Sequence, residues 1–116
     1  MSAKLAAAIL GLIFIAVGVL GFLPNPVVAP TGIFVVNEGH NAVHIVTGLA
    51  LLAGAYLWGN ATLTLLIIGG LYAAVAILGF VMPGNMLLGF VAMNDADRWL
   101  HVALAIVVLA AGWRFS

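Results

Sequence analysis

Two long stretches without charged side chains constrain this fold more than any other feature of the sequence. Lys4 is followed by 33 residues that carry no formal charge, and Glu38 is followed by another 56 before Asp95. Only 5% of the residues are charged, whereas a soluble domain has about a quarter. Water cannot solvate surfaces of this kind, so we expect an integral membrane protein.

The apolar runs predict an all-α membrane protein with four transmembrane helices. Each run approaches the ~20 residues that a helix needs to cross the hydrocarbon core. The runs are continuous rather than alternating, which argues against membrane strands. The first run is too long for the apolar region of a cleaved signal peptide, so we expect it to be retained. The predicted spans cover roughly residues 5–23, 41–58, 61–82 and 97–113.

The segments that connect the predicted spans differ in length. Residues 58–61 form a tight turn with Gly59 and Asn60 as its helix-breaking residues. The other two connections are longer, and their prolines end the preceding helices. Both keep bulky apolar residues such as Phe34 and Phe90. We therefore expect them to lie at the membrane surface or to fold back onto the bundle.

The sequence contains an internal repeat. Residues 11–22 align with 69–80, and residues 36–44 align with 93–101. The second alignment pairs four polar positions: Asn37 with Asn94, Glu38 with Asp95, His40 with Asp97, and His44 with His101. We therefore predict a single domain over residues 1–116, built from one repeat at about 5–58 and another at about 61–115. Parallel copies of this kind are related by a pseudo-two-fold axis along the membrane normal.

Two motifs make the chain resemble a known family. Asn41 and His44 lie in "HNAVHIVTG", and "MNDADRWLH" opens the last predicted span. In these motifs the chain resembles the small bacterial four-span membrane proteins known as domain of unknown function 4383. The resemblance covers most of the chain and implies a bacterial membrane protein with four helices. It supplies no activity, so the chemistry has to be argued from the residues.

Few charges are available to set the orientation in the membrane. Lys4 and Arg114 flank the outer ends of the first and last spans, and four crossings place both termini on one side. The positive-inside rule makes that side cytoplasmic, in the inner membrane of a bacterium. Arg98 opposes this orientation, but it lies beside Asp95 and Asp97. Residues 36–44 are then expected on the extracytoplasmic face.

Helix capping explains part of the polar cluster. Asn is a favoured N-cap and acidic residues favour the first turn of a helix, which accounts for Asn37, Asn94 and the carboxylates that follow them. Capping does not account for His44 and His101. Each histidine lies seven residues beyond its cap, or about 10 Å further along a helix. At that depth a polar ring needs a partner.

Helical spacing predicts that these side chains converge. His40 and His44 are four residues apart and share one helix face, as do Asp97 and His101. One interpretation is a metal site of all four residues, which suits zinc, copper or iron. A second is a haem or chlorophyll-type pigment held axially by His44 and His101. A third is a hydrogen-bond network that only joins the two halves.

The sequence favours a non-catalytic function. It has no nucleophile elbow, phosphate loop, zincin motif or cysteine, so it gives no support for an enzyme. Its zero net charge and lack of a basic cluster argue against a nucleic-acid partner. The predicted function is binding of a metal ion or metal-containing cofactor within the lipid bilayer. The alternative is a structural accessory subunit of a larger respiratory or photosynthetic complex, and a homodimer is a further possible assembly.

Overall fold

The computed structural model describes residues 1–115 as a mostly helical bundle of four helices, which agrees with the helical part of the predicted fold class. Position 116, the last residue of the predicted single domain, lies outside the described residues. Two short sheets in the connections were not predicted. The elements are α1 (Ala3–Leu20), β1 (Val28–Ala29), β2 (Phe34–Val35), α2 (Glu38–Tyr56), α3 (Ala61–Val81), β3 (Met86–Leu87), β4 (Val91–Ala92) and α4 (Asp95–Arg114).

Asparagine side chains begin α2 and α4 in the same way. Asn37 Oδ1 accepts a hydrogen bond from the His40 N–H at 2.9 Å, and Asn94 Oδ1 accepts one from the Asp97 N–H at 3.0 Å. Each bond satisfies a backbone donor that has no partner within the helix. Both predicted caps are therefore confirmed. Because the helices begin directly after the caps, α2 starts three residues and α4 two residues before the predicted spans.

Three of the four helices, α1, α3 and α4, are long and apolar enough to cross a membrane. The chain is accordingly a multi-pass membrane protein. Helix α2 is not among the three, because its first two turns carry the polar residues Glu38, His40, Asn41 and His44. Large apolar side chains nevertheless point outward on all four helices. Leu12, Val46, Ile77 and Ile106 are each at least 60% exposed, which suits contact with lipid.

Glycines allow the helices to approach each other closely within two pairs. Helix α1 packs mainly on α2, and α3 packs mainly on α4. A Cβ at Gly11 of α1 would lie 2.9 Å from the Gly48 carbonyl oxygen of α2. A Cβ at Gly69 of α3 would lie 2.7 Å from the Leu109 side chain of α4. These glycines therefore serve close packing.

The two long connections fold back onto the end of the bundle. In the first, β1 and β2 pair in parallel, with Val28 opposite Phe34. In the second, β3 and β4 pair antiparallel, with Met86 opposite Ala92. Val36 and Met93, which follow the two sheets, are each only 2% exposed. Of the two expected placements, at the membrane surface or folded back onto the bundle, the contacts of the structure agree with the second.

Asn37 also joins the first helix pair to the second connection. In addition to capping α2, its Oδ1 accepts a hydrogen bond from the Ala92 N–H at 3.1 Å. Its Nδ2 donates to the Phe90 carbonyl oxygen at 3.1 Å. One side chain therefore begins α2 and holds β4 beside it, which fixes the position of β4 against the first turn of the helix.

Asn94 makes the reciprocal contacts with the first connection. Its Oδ1 accepts from the Val35 N–H at 3.5 Å while it caps α4. Its Nδ2 donates to the Ile33 carbonyl oxygen at 2.9 Å. Each helix pair is thus tied to the connection of the other pair by one asparagine. These contacts bring the first turns of α2 and α4 to the same end of the bundle, beside each other.

Candidate metal centre

Three histidines from α2 and α4 converge beneath the two connections. His40, His44 and His101 are 1%, 2% and 3% exposed. Each offers one ring nitrogen, and these three nitrogens all lie within 4.8 Å of one another. The ring centroids of His40 and His44 are 4.6 Å apart, and the His101 ring lies 5.4 Å from the first and 6.3 Å from the second. The predicted convergence of these three residues agrees with the structure.

The backbone of β4 sets the orientation of the His40 ring. His40 Nδ1 lies 2.6 Å from the Ala92 carbonyl oxygen. A carbonyl oxygen only accepts hydrogen bonds, so Nδ1 carries the proton and donates. In the neutral ring, Nε2 then keeps its lone pair. A ligating histidine almost always donates its other ring nitrogen to an acceptor of this kind, so the His40 ring is arranged as a metal ligand would be.

Four ring nitrogens of the three histidines are buried and have no hydrogen-bond partner among residues 1–115. They are His40 Nε2, both ring nitrogens of His44 and His101 Nδ1. A buried polar atom without a partner costs about 1–3 kcal/mol. Four such atoms within one cluster are unfavourable for a purely structural network. Each neutral imidazole has one nitrogen with a free lone pair, and three such lone pairs are the electron donors that a metal ion requires.

Aromatic side chains close the cluster on the side of the bundle core. The Phe14 ring lies 5.8 Å from the His44 ring, and the Tyr72 ring lies 5.9 Å from the His101 ring, both edge to face. The Thr47 hydroxyl donates to the Val43 carbonyl oxygen at 2.7 Å. Thr47 therefore accepts the 3.0 Å hydrogen bond from the Tyr72 hydroxyl. This contact joins α2 to α3 and holds the Tyr72 ring against the site.

Asp97, the fourth predicted ligand, is not in the set of three converging residues. Its Oδ2 accepts from the Asn94 N–H at 3.0 Å and completes a capping box. Its Oδ1 is buried, and no residue in the described part of the chain bonds to it. Asp97 therefore contributes one oxygen to the cap and has one oxygen left over, one helical turn before His101.

The chemistry of the three imidazoles fits a transition-metal ion. Zinc–nitrogen bonds of about 2.0–2.1 Å place tetrahedral ligands ~3.4 Å apart. The present separations, up to 4.8 Å, would close with ring movements of about 1 Å on that geometry. Three histidines with an oxygen ligand or water in the fourth position suit zinc, and imidazoles also suit copper and iron.

A tetrapyrrole fits the cluster poorly. Its plane would have to pass between the His44 and His101 rings, and the His40 ring lies within 5.4 Å of both. The apolar crevice beside His44, between α1 and α4, measures about 180 Å³. Ligand pockets generally measure about 300–1,000 Å³. The geometry therefore favours a bare metal ion over a haem or chlorophyll-type pigment.

Residues around the histidines were not foreseen from the sequence. The Ala92 carbonyl carries no side-chain signal, so its bond to His40 could not be predicted. Phe14 and Tyr72 occupy matching positions in the aligned segments 11–22 and 69–80. This match of two aromatic residues was the available sequence signal that both lie beside the site. Asn41 was noted only for the family resemblance. It is 2% exposed, and its Oδ1 is a further buried atom without a partner among residues 1–115.

Comparison with known proteins gives one match. The model of the family described as "Domain of unknown function (DUF4383)" matches residues 4–114. No curated protein and no solved structure matches the chain.

Proposed function

The chain belongs to the family described as "Domain of unknown function (DUF4383)", and since that description names no activity, we propose a function from the site itself. The protein is a small, non-catalytic membrane protein that binds one transition-metal ion, preferably zinc. His40, His44 and His101 supply the nitrogen ligands. Asp97 Oδ1, the buried carboxylate oxygen without a partner in residues 1–115, supplies the fourth ligand.

One observation carries this proposal. His40 Nε2, His44 and His101 bring unpaired ring nitrogens together in a cluster that is almost fully buried, while Ala92 fixes the proton of His40 on the opposite side of its ring. A structural network would be expected to pair these nitrogens with one another or with carbonyl groups. A metal ion would pair one nitrogen of each ring at once, because it accepts one lone pair from each imidazole.

We further propose that the bundle is a duplicated unit with four membrane-spanning helices. The reciprocal contacts of the two capping asparagines support the duplication, because the corresponding residues are separated by 57 positions throughout. These pairs are Asn37 and Asn94, Ile33 and Phe90, and Val35 and Ala92. The outward-facing Val46 and Leu49 on α2, 63% and 54% exposed, support a fourth lipid-facing span.

The proposed orientation places both termini in the cytoplasm and the histidine cluster near the outer face of a bacterial inner membrane. Met1 and Arg114 line one crevice, so both ends of the described chain lie at the same end of the bundle. Lys4 lies over the Tyr56 ring at 5.0 Å, beside the short turn between α2 and α3. The positive-inside rule assigns this end to the cytoplasm. The role of accessory subunit in a larger complex stays a prediction, which co-purification in mild detergent would test.

Titration of the purified protein with Co²⁺, a coloured substitute for zinc, tests the metal centre. We expect one Co²⁺ per chain and an absorption spectrum typical of four-coordinate cobalt. The double substitution His44→Gln with His101→Gln removes two of three nitrogen ligands and should weaken binding at least 100-fold. Thr64→Val is the control, because Thr64 is also a buried polar residue but lies beside the turn between α2 and α3, at the other end of the bundle. Undiminished Co²⁺ binding by the double variant would refute the proposed ligands.

A further inference from the structure

A second, more polar cavity lies at the same end of the bundle as the histidines. It measures about 500 Å³ and is formed between the end of α1 and the beginning of α2. We call it the access pocket. Its polar lining consists of Asn25, Thr31, Asn37, Glu38 and Asn41. The lining is open to solvent at Thr31 and Glu38, which are exposed, and ends at Asn41, which is buried.

Asn41 lines the access pocket and lies on the same helix as two of the histidines. It follows His40 directly in α2 and precedes His44 by three residues, so it borders the helix segment that carries both rings. Its Oδ1 is buried and has no partner among the described residues. A Cβ at Gly21 of α1 would overlap the Asn41 side chain. Close approach of α1 at Gly21 therefore holds this unpaired oxygen at the inner end of the pocket.

The hydrogen bonds of the other polar residues leave few free acceptors in the access pocket. Asn25 Oδ1 accepts from the Val27 and Val28 N–H groups at 2.9 and 2.7 Å. Asn37 Oδ1 is used by the α2 cap and by β4. The side-chain acceptors that remain in the access pocket are the Glu38 carboxylate, the Asn41 amide oxygen and the Thr31 hydroxyl.

The charge of the access pocket favours a cation. Glu38 is the one charged residue among those that line it in the described chain. The end of α1 and the beginning of α2 both border this pocket, and their partial charges are of opposite sign, so the net charge comes from the Glu38 carboxylate. A carboxylate, an amide oxygen and a hydroxyl are the hard oxygen ligands that a hydrated divalent cation accepts first.

We propose that the access pocket is the route by which a hydrated divalent transition-metal cation reaches the three histidines. Glu38 attracts the cation from water, and Asn41 Oδ1 replaces part of its hydration shell before the imidazole nitrogens bind it. This inference rests on the proposed metal centre and adds a path and a site of first contact. It also gives the unpaired Asn41 oxygen a binding partner, the cation.

The rate of Co²⁺ association, measured by stopped-flow absorption, tests this route. Glu38→Gln removes the attracting charge and should slow association about fivefold at low ionic strength, with a smaller difference as salt is added. The absorption spectrum at saturation should not change, because the inner ligands are the same. Asp95→Asn is the matched control. Asp95 also follows a capping asparagine directly, but it pairs with Arg98 at 2.7 Å and does not line the access pocket.

A second variant tests the inner end of the access pocket. Asn41→Leu keeps the number and branching of the side-chain heavy atoms and removes the amide oxygen, so it should slow association at every salt concentration. Equal association rates in Glu38→Gln and Asp95→Asn would overturn the route while leaving the metal centre intact. A changed cobalt spectrum in Glu38→Gln would also overturn it, because Glu38 would then be an inner ligand. Failure of the unmodified protein to bind Co²⁺ would refute the metal centre itself.

Discussion

The first helix pair, α1 with α2, and the second, α3 with α4, share a framework and differ in chemistry. In both pairs an asparagine caps the second helix and binds the connection of the other pair. The two pairs differ in the side chain that stands three residues after the cap, which is His40 in the first pair and Asp97 in the second. His40 donates its Nδ1 proton to Ala92 and keeps Nε2 for the cluster. Asp97 instead uses one carboxylate oxygen to accept a hydrogen bond from the Asn94 N–H.

This difference distinguishes the residues that build the bundle from the residues that we propose bind a metal ion. The asparagine contacts are made by both pairs, so they belong to the architecture. The proposed nitrogen ligands are unequally divided, with two from the first pair and one from the second. A single side chain at the third helical position decides whether that pair contributes an imidazole or a carboxylate. The site is therefore asymmetric within a framework that is nearly the same on both sides.

Removal of the capping asparagines should give the largest loss of stability. Asn37→Ala and Asn94→Ala each remove a cap and two hydrogen bonds to the other pair, and each should lower the free energy of unfolding by about 3 kcal/mol. The two losses should agree within about 1 kcal/mol, because the contacts are reciprocal. Unfolding in mixed detergent micelles measures both.

Asn60→Ala provides the control for these two variants. Asn60 caps α3 through the Leu63 N–H at 3.1 Å, and in the described chain its side chain makes no bond to another helix pair. Loss of this cap should lower the free energy of unfolding by only about 1 kcal/mol. If either Asn37→Ala or Asn94→Ala costs no more than Asn60→Ala, the shared framework is wrong.

The sequence predicted the local parts of this framework well. The caps follow from asparagine with acidic residues after it, and the four helices follow from continuous apolar runs. The contacts between the pairs could not be predicted, because they join residues 53 to 61 positions apart and depend on how the connections fold. The two small sheets were missed for the same reason. The polar start of α2 also explains why only three helices are apolar enough to be recognised as spans.

The replacement His40→Leu should give the next largest effect. It removes the 2.6 Å hydrogen bond between α2 and β4, which should lower the stability of the metal-free protein by about 1 kcal/mol. Thermal unfolding in the presence of a chelator measures this loss. An unchanged unfolding temperature would mean that the bond to Ala92 does not hold the second connection in place.

The replacement His44→Leu should have a smaller effect of the opposite sign. Neither ring nitrogen of His44 has a hydrogen-bond partner in residues 1–115, and its neighbours include the Phe14 ring. An apolar side chain of similar size should therefore raise the stability of the metal-free protein by less than about 1 kcal/mol. The same chelator experiment applies. A clear loss of stability would instead favour the structural network that was the third interpretation of the sequence.

The candidate site was partly predictable for a physical reason. The i,i+4 spacing of His40 and His44, with the repeat register of His101, places all three rings on inward faces of packed helices. Asp97 follows the same spacing, yet its bond to the Asn94 backbone draws one oxygen away from the cluster. Spacing alone cannot decide between a cap and a ligand, because both roles use the same helix face. The ligand role of Asp97 stays a prediction.

X-ray absorption spectroscopy at the zinc edge tests the metal centre most directly. The zinc-loaded protein should show three imidazole ligands with zinc–nitrogen distances of about 2.0–2.1 Å. His40→Leu, His44→Leu and the corresponding change at His101 should each remove one imidazole from the spectrum. A zinc ion bound by oxygen atoms alone, or one that still has three imidazole ligands in any of the three variants, would contradict a centre formed by these histidines.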